Sequence, residues 1–507
     1  MSDKSFQHMS DRERFFYSIF LALTVGIAVF CRLPFLCMER MWPDEALYAW
    51  NAQRIFEDPG MIFSKEVTDF HPPLFSVLLS FGHLFWPGWE ACRIVVFLLN
   101  ILGIIAIYIL GRRISGEFLG CYSAIVLSFN LQYFNMSNFI LSDGAIAVGI
   151  IFIFWALTHI HSHKIDSKDF AFGLVVVGFL MLKWSAVLLL PFLCVYYPAA
   201  YTECAFSRRF KKGAVPLVMA SLLIVVLLWH NHNILGSWIP QVFNARNDSY
   251  RQPFFFYLQH FYPLVFAYAL VPFLALGLCA ASLGQNRDAK AQAMWVAFGL
   301  FSLSAMPAKD FRFLLIVIPG MIVVSGIGLE SLLLLGDKKP FLKRLLRPAV
   351  LLIILCYMGF VHFKDVRENV IRKSYTFTGY PEAGYFIRES SRRNPAELIL
   401  ASSPRMVRYF SNVNFKEFGG RLQAFPRTQA EFLRLVNETH VDMILAVDRW
   451  ELSQPGWLFP PTQANNQFLK DLGFKLETKI MRDVQMSAQS LEKMAVIWIF
   501  RRPGQLK

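Results

Sequence analysis

The segment ACRIVVFLLNILGIIAIYIL, residues 91–110, is followed directly by Gly111, Arg112 and Arg113. As a helix it is long enough to cross a bilayer, for which about 20 apolar residues are needed. Runs of the same kind are 15–38, 117–134, 143–161, 213–234, 260–283, 311–333 and 346–363. Two further spans fit within 170–203, which Lys183 interrupts, and a short one fits 291–306. The sequence therefore predicts a polytopic α-helical membrane protein with about eleven transmembrane helices.

Composition favours the same fold class. The chain has 507 residues, of which 55% are hydrophobic, and its mean hydropathy is +0.42. Only 17% of the residues are charged, whereas ordinary soluble domains carry about a quarter. The net charge of +14 does not indicate nucleic acid, because most basic residues lie in short clusters between apolar runs. We expect membrane lipid, and no nucleic acid, as a partner.

The basic residues fall unequally on the two sides of the predicted membrane. Eighteen lie in six short segments, and the alternate loops hold eight. The six segments are 4–14, 112–113, 164–168, 208–212, 287–290 and 338–347. Since Lys and Arg concentrate in cytoplasmic loops, these segments and the N-terminus are predicted to be cytoplasmic. The C-terminus is then extracytoplasmic, and we expect the protein in the cell inner (plasma) membrane.

Two regions outside the spans complete the predicted organisation. Residues 71–86, HPPLFSVLLSFGHLFW, are too few for a comfortable span, so we interpret them as a helix at the outer interface. The first outer loop then extends from about 39 to 90. We expect residues 1–363 to form a transmembrane domain and residues 364–507 a separate extracytoplasmic one.

The character of the sequence changes after residue 364. Short apolar segments lie at 398–400, 443–447 and 496–500. Stretches with helical spacing lie between them, at 381–393, 429–437 and 464–472. This alternation predicts a small α/β domain.

Asp44 and Glu45 follow the first apolar run and open the helix-like stretch ALYAWNAQRIFED. Asp44 fits a helix N-cap, and it also fits a general base held at the membrane surface. His71, in His71-Pro72-Pro73-Leu74, fits an interfacial anchor or a hydrogen-bond partner for a carboxylate or phosphate. Both interpretations stay open for each residue.

Three more positions place ionisable groups on the predicted outer side. Asp143 opens a span, either as an N-cap or as a functional acid. Lys183 interrupts an apolar run, where it either snorkels to the surface or acts on a substrate. Lys309 and Arg312, in KDFRF, either anchor the helix at the interface or neutralise a lipid phosphate.

The cysteines indicate no further chemistry. All eight lie in or beside apolar runs, and the sequence has neither a CxxC pair nor a His/Cys ligand spacing. Asp44-Glu45 is also not a D-x-D triplet. We therefore expect no disulfide framework, no metal and no cofactor.

These residues, in this order, resemble the GT-C membrane glycosyltransferases. The most similar types are the dolichyl-phosphate-mannose protein mannosyltransferases and the bacterial lipid A aminoarabinose transferases, over roughly residues 10–330. The latter carry Glu-Lys before Pro-Pro, where this chain has Phe70-His71, which favours the mannosyltransferases. The C-terminal segment, however, has no trefoil-like insertion of the kind found in eukaryotic protein mannosyltransferases.

The resemblance implies an enzyme that moves a sugar from a polyprenyl-phosphate carrier to an extracytoplasmic acceptor, with inversion. It implies Asp44 in the catalytic centre with Glu45 beside it, and Lys309 and Arg312 as phosphate contacts. The chemistry suits these residues, since a base activates the acceptor and cations hold the departing phosphate. Lys183 is a further cation for that role, and His71 and Asp143 are substrate-binding candidates. The acceptor is a lipid, a glycan or a protein.

Two alternatives belong to other classes. A lipid-linked sugar flippase or other transporter, without chemistry, predicts charges near the span centres and inverted repeats. Neither feature is evident in the sequence. A scaffold whose outer domain binds cell-wall polymer does not explain why the acids, the histidine and the cations fall on one side.

Overall fold

The computed structural model describes residues 11–36, 41–64, 67, 71–160, 166–200, 206–238, 251–260, 268–335, 340–374, 379–393, 398–412, 421–447, 457–458, 463–485 and 491–502. Phe70 lies outside these ranges, as do parts of the predicted cytoplasmic segments 4–14, 164–168 and 338–347.

The chain forms two compact units. The membrane unit comprises Met1–Cys37 and Asn51–Val370. The C-terminal unit comprises Ile371–Lys507 together with Met38–Trp50, the segment that carries Asp44 and Glu45. The division into domains at residues 363 and 364 stays a prediction.

Helices account for most of the described residues before position 375. In chain order they are α1 (Asp11–Leu36), α2 (Pro43–Glu57), α3 (Leu74–Ser80), α4 (Trp89–Ser115), α5 (Glu117–Phe129), α6 (Leu131–Met136), α7 (Ser142–Leu157), α8 (Ser167–Leu180), α9 (Leu189–Ala200), α10 (Phe206–Leu235), α11 (Phe256–Gln259), α12 (Val271–Leu283), α13 (Arg287–Ala305), α14 (Ile318–Leu335), α15 (Pro340–Cys356) and α16 (Phe363–Ser374). Short 3₁₀ helices cover Pro59–Phe63, Phe81–Leu84, Trp184–Leu188, Tyr268–Leu270 and Phe311–Ile316, and a π-helical turn covers Tyr357–His362.

Among the described residues, four helical segments are long and apolar enough to cross a membrane: Glu13–Leu36, Trp89–Ser115, Gly213–Ile234 and Leu346–Glu368. Shorter apolar helices of 10–17 residues are Leu74–Leu84, Glu117–Phe129, Ser142–Leu157, Trp184–Tyr197, Val271–Leu283 and Ile318–Leu334. The helical, apolar architecture predicted from the sequence is confirmed. The number of eleven spans stays a prediction.

Polar side chains interrupt several of the predicted runs. The run 117–134 divides at Asn130, whose side chain caps α6 by accepting a hydrogen bond from the Tyr133 amide at 3.1 Å. The run 311–333 begins as a 3₁₀ helix, and Asp310 caps it by accepting from the Arg312 amide at 3.0 Å. Asn and Asp compete in this way with regular helix hydrogen bonding, and hydropathy alone does not reveal it.

Small residues let α12 and α14 touch backbone to backbone. A Cβ atom added at Gly277 would lie 1.8 Å from the carbonyl oxygen of Val324. One added at Gly328 would lie 2.0 Å from that of Phe273. Close glycine contacts of this kind are a common way for helices to pack inside a membrane, where no water drives their association.

One set of contacts joins the loops that were predicted to be cytoplasmic. At the end of α4, the Ile114 carbonyl accepts from the Asn286 amide group at 2.9 Å, and Arg113 donates to Thr158, just past α7, at 3.0 Å. Glu330, on α14, pairs with Arg347 at 2.7 Å. Thr158 and Asp143 therefore mark opposite ends of α7, with the predicted cytoplasmic residues at the Thr158 end.

The C-terminal unit contains, among its described residues, a sheet of five strands: β1 (Leu398–Ala401), β2 (Arg421–Ala424), β3 (Met443–Val447), β4 (Lys475–Gln485) and β5 (Leu491–Arg501). Its helices are α17 (Tyr380–Arg393), α18 (Pro404–Ser411), α19 (Gln429–Glu438) and α20 (Gln463–Asp471). The strand order is β2-β1-β3-β5-β4, with β1 parallel to β2 and β3, and β5 antiparallel to β3 and β4. The predicted mixture of strands and helices is confirmed.

The core of this unit forms where the sheet meets α19 and α20. Leu400, Ile444 and Phe500 project from three strands against Phe432 of α19 and Leu469 of α20, and all five side chains are buried. The fully apolar sequences of β1 and β3 follow from this position, since strands covered on both faces alternate little.

Candidate active site

Lys183 and Asp143 form a buried ion pair in the membrane unit. Lys183 Nζ lies 2.6 Å from Asp143 Oδ1, and the two side chains are 11% and 6% exposed. The break at Lys183 separates α8 from the 3₁₀ helix Trp184–Leu188, as the sequence predicts. The same ammonium lies 5.7 Å from the centre of the Phe313 ring. The structure thus brings together residues from three of the predicted outer segments.

Asp143 does not cap α7 in the manner that the sequence allowed. The N-cap position is occupied by Leu141, and Asp143 falls in the first turn of the helix. A carboxylate in that turn interacts favourably with the helix dipole, but here it also meets the Lys183 ammonium. The N-cap interpretation of Asp143 is therefore wrong.

The HPPL motif lies beside the Lys183 segment. The amide of Leu74 donates to the carbonyl of Met181 at 3.1 Å, two residues before Lys183. Pro73 occupies the N-cap position of α3 and His71 is half-buried. The prolines thus fix the entry to α3 next to the ion pair. The substrate-binding role of His71 stays a prediction.

Lys309 is buried, yet none of its described partners is a carboxylate. Its ammonium donates to the carbonyl oxygens of Met306 at 2.6 Å and Gln252 at 2.9 Å. The residue is 3% exposed, and this burial lowers the pKa of the Lys309 ammonium from its ordinary value. A β-bridge between Arg251 and Ala308 holds the two chain segments together. An ammonium has three N–H donors, so these two carbonyls leave one for a further acceptor.

Arg312 has a carboxylate neighbour. Its Nε lies 3.3 Å from Asp310 Oδ2, and its guanidinium carbon lies 5.7 Å from the centre of the Phe313 ring. The Tyr257 hydroxyl donates to the Asp310 carbonyl at 3.1 Å, which ties α11 to this segment. The Arg312 and Lys183 cations therefore both lie near the Phe313 ring.

Asp44 and Glu45 belong to the C-terminal unit and have different surroundings. Helix α2 begins at Pro43, and the fully buried Glu45 carboxylate accepts from the Trp42 amide at 2.9 Å. Glu45 thus forms the returning half of a capping box. Asp44 Oδ1 instead accepts from Arg405 at 2.7 Å, and both of these side chains are 37% exposed. The N-cap interpretation of Asp44 is wrong, because Trp42 precedes the first helical residue.

Sequence reasoning missed Arg405. Its signal was nevertheless present, because Ser402-Ser403-Pro404-Arg405 follows directly on the predicted strand 398–400. Polar residues at the carboxyl ends of parallel strands commonly form binding sites in α/β folds. The partner across 361 positions of sequence was not predictable from that signal.

Among the described residues, no three His, Cys, Asp or Glu side chains converge in a way that would hold a metal ion. The expectation that the chemistry needs no metal and no cofactor stays a prediction.

No protein-family model matches the chain. No curated protein matches it in sequence. Solved structures do match. The crystal structure of ArnT from Cupriavidus metallidurans in the apo state superimposes with a TM-score of 0.62 at 14% identity, covering 96% of this chain and 98% of that one. The chain has the GT-C fold.

Two further GT-C structures contain a lipid phosphate. ArnT from Cupriavidus metallidurans bound to undecaprenyl phosphate matches with a TM-score of 0.60 at 13% identity, covering 96% of this chain and 98% of that one. The oligosaccharyltransferase AglB from Archaeoglobus fulgidus, in complex with an inhibitory peptide and a dolichol-phosphate, matches with a TM-score of 0.58 at 12% identity. This match covers 86% of this chain and 70% of AglB. The predicted GT-C resemblance is confirmed at the level of the fold.

We predict that Lys183→Met lowers the free energy of unfolding by about 3–5 kcal/mol, because it leaves Asp143 as an uncompensated buried acid. The double variant with Asp143→Leu should recover much of the loss, since no charge is then buried alone. Unfolding of the purified protein in detergent measures both. Lys168→Met, at an exposed lysine of α8, is the matched control and should change stability by less than about 0.5 kcal/mol. A Lys183→Met protein as stable as the control would contradict this assignment.

Proposed function

We propose that the chain is an integral membrane glycosyltransferase that moves a sugar from a polyprenyl-phosphate carrier to an extracytoplasmic acceptor. The GT-C fold supports the proposal, because chains of this fold have been solved with undecaprenyl phosphate and with dolichol-phosphate. The observation that carries it is Lys309, a buried cation held by two carbonyl oxygens.

Lys309 and Lys183 differ in how much of their positive charge remains available to a ligand. Lys183 meets the Asp143 carboxylate at 2.6 Å, so its charge is largely compensated within the protein. Lys309 has only neutral acceptors among its described partners, and so keeps an uncompensated charge in a poorly solvated place. A buried charge of this kind is stabilised by a counter-ion, and a phosphate oxygen supplies both the charge and the missing acceptor.

The proposed phosphate site combines Lys309 with Arg312. Asp310 lies beside Arg312, with its Oδ2 atom 3.3 Å from Arg312 Nε. Phe313 and the Lys183–Asp143 pair lie next to this segment and fix its position. We assign substrate binding to Lys309, Arg312, Lys183, Asp143 and His71, with the first two in direct contact with phosphate.

The proposed reaction is a single displacement. Asp44 takes the proton of an acceptor hydroxyl or amine, and the acceptor atom forms a bond to the anomeric carbon of the sugar. The bond from that carbon to the phosphate oxygen breaks, and the polyprenyl phosphate leaves as an anion that Lys309 and Arg312 stabilise. One displacement inverts the configuration of the anomeric carbon. Glu45 supports Asp44 by fixing the first turn of α2.

The proposed topology has eleven spans, a cytoplasmic N-terminus and an extracytoplasmic C-terminal unit, in the inner membrane of a bacterium. The eighteen-to-eight distribution of basic residues supports it. Contacts among the predicted cytoplasmic loops at the Thr158 end of α7 add support, because a shared end requires a shared side.

We expect a membrane-impermeant maleimide to label Lys470→Cys but not Phe210→Cys in intact cells, with both variants in a cysteine-free background. Basic loops stay on the cytoplasmic side, and residue 210 lies within RRFKK. Permeabilised cells are the control and should label both positions. The opposite pattern in intact cells would overturn the topology and the proposed site of the reaction.

Lys309→Met combined with Arg312→Met should weaken binding of undecaprenyl phosphate. Each lost charge-assisted contact costs about 1.5–3 kcal/mol, which is on the order of 10- to 150-fold in affinity. Binding to the purified protein measures the effect, and the thermal midpoint separates it from unfolding. Lys290→Met, at an exposed lysine on α13, is the control. Unchanged affinity in the double variant would move the phosphate site to Lys183.

Asp44→Asn should preserve the fold, because the capping contact belongs to Glu45. Transfer from a polyprenyl-phosphate sugar should fall by about 10²- to 10⁴-fold, the usual cost of losing a positioned base. Glu45→Gln should be milder, since its amide oxygen still accepts from the Trp42 amide. Turnover is measured with the donor saturating. Near-normal transfer by the Asp44→Asn enzyme would remove Asp44 from the mechanism, and Glu45 or Asp143 would be tested next.

A further inference from the structure

We propose that Arg405 is a positioning residue for the reaction, and that the C-terminal unit therefore takes part in the chemistry by holding Asp44. This inference rests on the proposed function. It assigns a role to a contact within a single compact unit, between the first turn of α2 and the first turn of α18.

Arg405 follows the carboxyl end of a central strand, where α/β folds commonly place functional groups. Strand β1 lies between β2 and β3 and runs parallel to both. The chain leaves its carboxyl end at Ala401 and begins α18 at Pro404. Because β2 and β3 lie on opposite sides of β1, this end is a topological switch point, where ligands and active groups commonly bind.

The backbone that carries Arg405 is rigidly held. The amide and the hydroxyl of Ser402 both lie 3.3 Å from the Leu445 carbonyl of the neighbouring strand. Met406 and Val407, directly after Arg405, are fully buried. Because its backbone is held in this way, the Arg405 guanidinium loses little freedom when it binds one carboxylate oxygen. It therefore fixes the direction of the Asp44 side chain.

Asp44 is held from two directions and stays accessible. Pro43 fixes the start of α2 and Glu45 ties the turn to Trp42, so the backbone of Asp44 is set. Arg405 then binds Oδ1 at 2.7 Å, while the carboxylate remains 37% exposed.

The pairing predicts a specific pattern of activity. Arg405→Met should lower kcat on the order of 10- to 100-fold, because a misdirected base costs rate rather than binding. The KM for the polyprenyl-phosphate donor should stay within about twofold. Arg405→Lys should recover part of kcat, since an ammonium still reaches one oxygen. Arg408→Met is the matched control, because Arg408 is an exposed arginine on the same helix, and should keep wild-type kcat.

The deciding experiment is a double-mutant cycle on kcat with the full-length protein in detergent. If Arg405 acts through Asp44, then Arg405→Met adds no further loss in an Asp44→Asn background. Independent, multiplicative losses would overturn the inference, as would a kcat of Arg405→Met equal to that of Arg408→Met. The thermal midpoint of each variant must match wild type, and Arg405→Lys provides the comparison if Arg405→Met is unstable.

The experiment also separates this inference from the function on which it rests. Absence of transfer by the wild-type protein from any polyprenyl-phosphate sugar would overturn the proposed function. A wild-type enzyme that transfers sugar, with Arg405 variants that behave like the Arg408→Met control, would leave the function standing and overturn only the role of Arg405.

Discussion

The constraint on which the membrane unit depends is that a buried polar group needs a partner within the protein. Arg32, on α1, is an example. Its guanidinium donates to the Ser137 hydroxyl at 2.8 Å and the Ser128 carbonyl at 2.6 Å, and it lies 4.3 Å from the Phe134 ring centre. This completely buried arginine thus ties α1 to α5, α6 and the turn after α6. A buried cation can thus be held by neutral acceptors and an aromatic ring that several elements contribute.

The same constraint explains which parts of the fold the sequence could predict. Long apolar runs such as 91–110 had to be helices, because a helix satisfies its own backbone in lipid. In the C-terminal unit, β1 and β3 were predictable from continuous apolar sequence. Strands β2 and β4 were not, since β2 is largely exposed and β4, KLETKIMRDVQ, mixes charged and apolar residues along an edge of the sheet. Edge strands keep polar side chains and so resemble loops in sequence.

The candidate site also has parts that the sequence could predict and parts that it could not. Asp143, Lys183 and Arg312 were recognisable individually, because an ionisable residue beside an apolar run is rarely there without a reason. Their convergence around Phe313 follows from how the segments pack, which no local pattern encodes. Arg405 was the least predictable of these residues, since its proposed role depends on Asp44, 361 positions away in the sequence. An arginine in a short amphipathic helix otherwise indicates only a solvated surface.

The two buried lysines, Lys183 and Lys309, differ in their partners, and this difference bears on which of them can bind an anion. Lys183 has an acid at 2.6 Å, so a substrate anion would compete with a contact that the fold already makes. Among the described residues Lys309 is bound by two carbonyl oxygens, which orient its ammonium without compensating its charge. Keeping such a charge poorly solvated costs stability, and an anion that binds to it offsets part of that cost. This contrast is why the proposed phosphate site is centred on Lys309 rather than on Lys183.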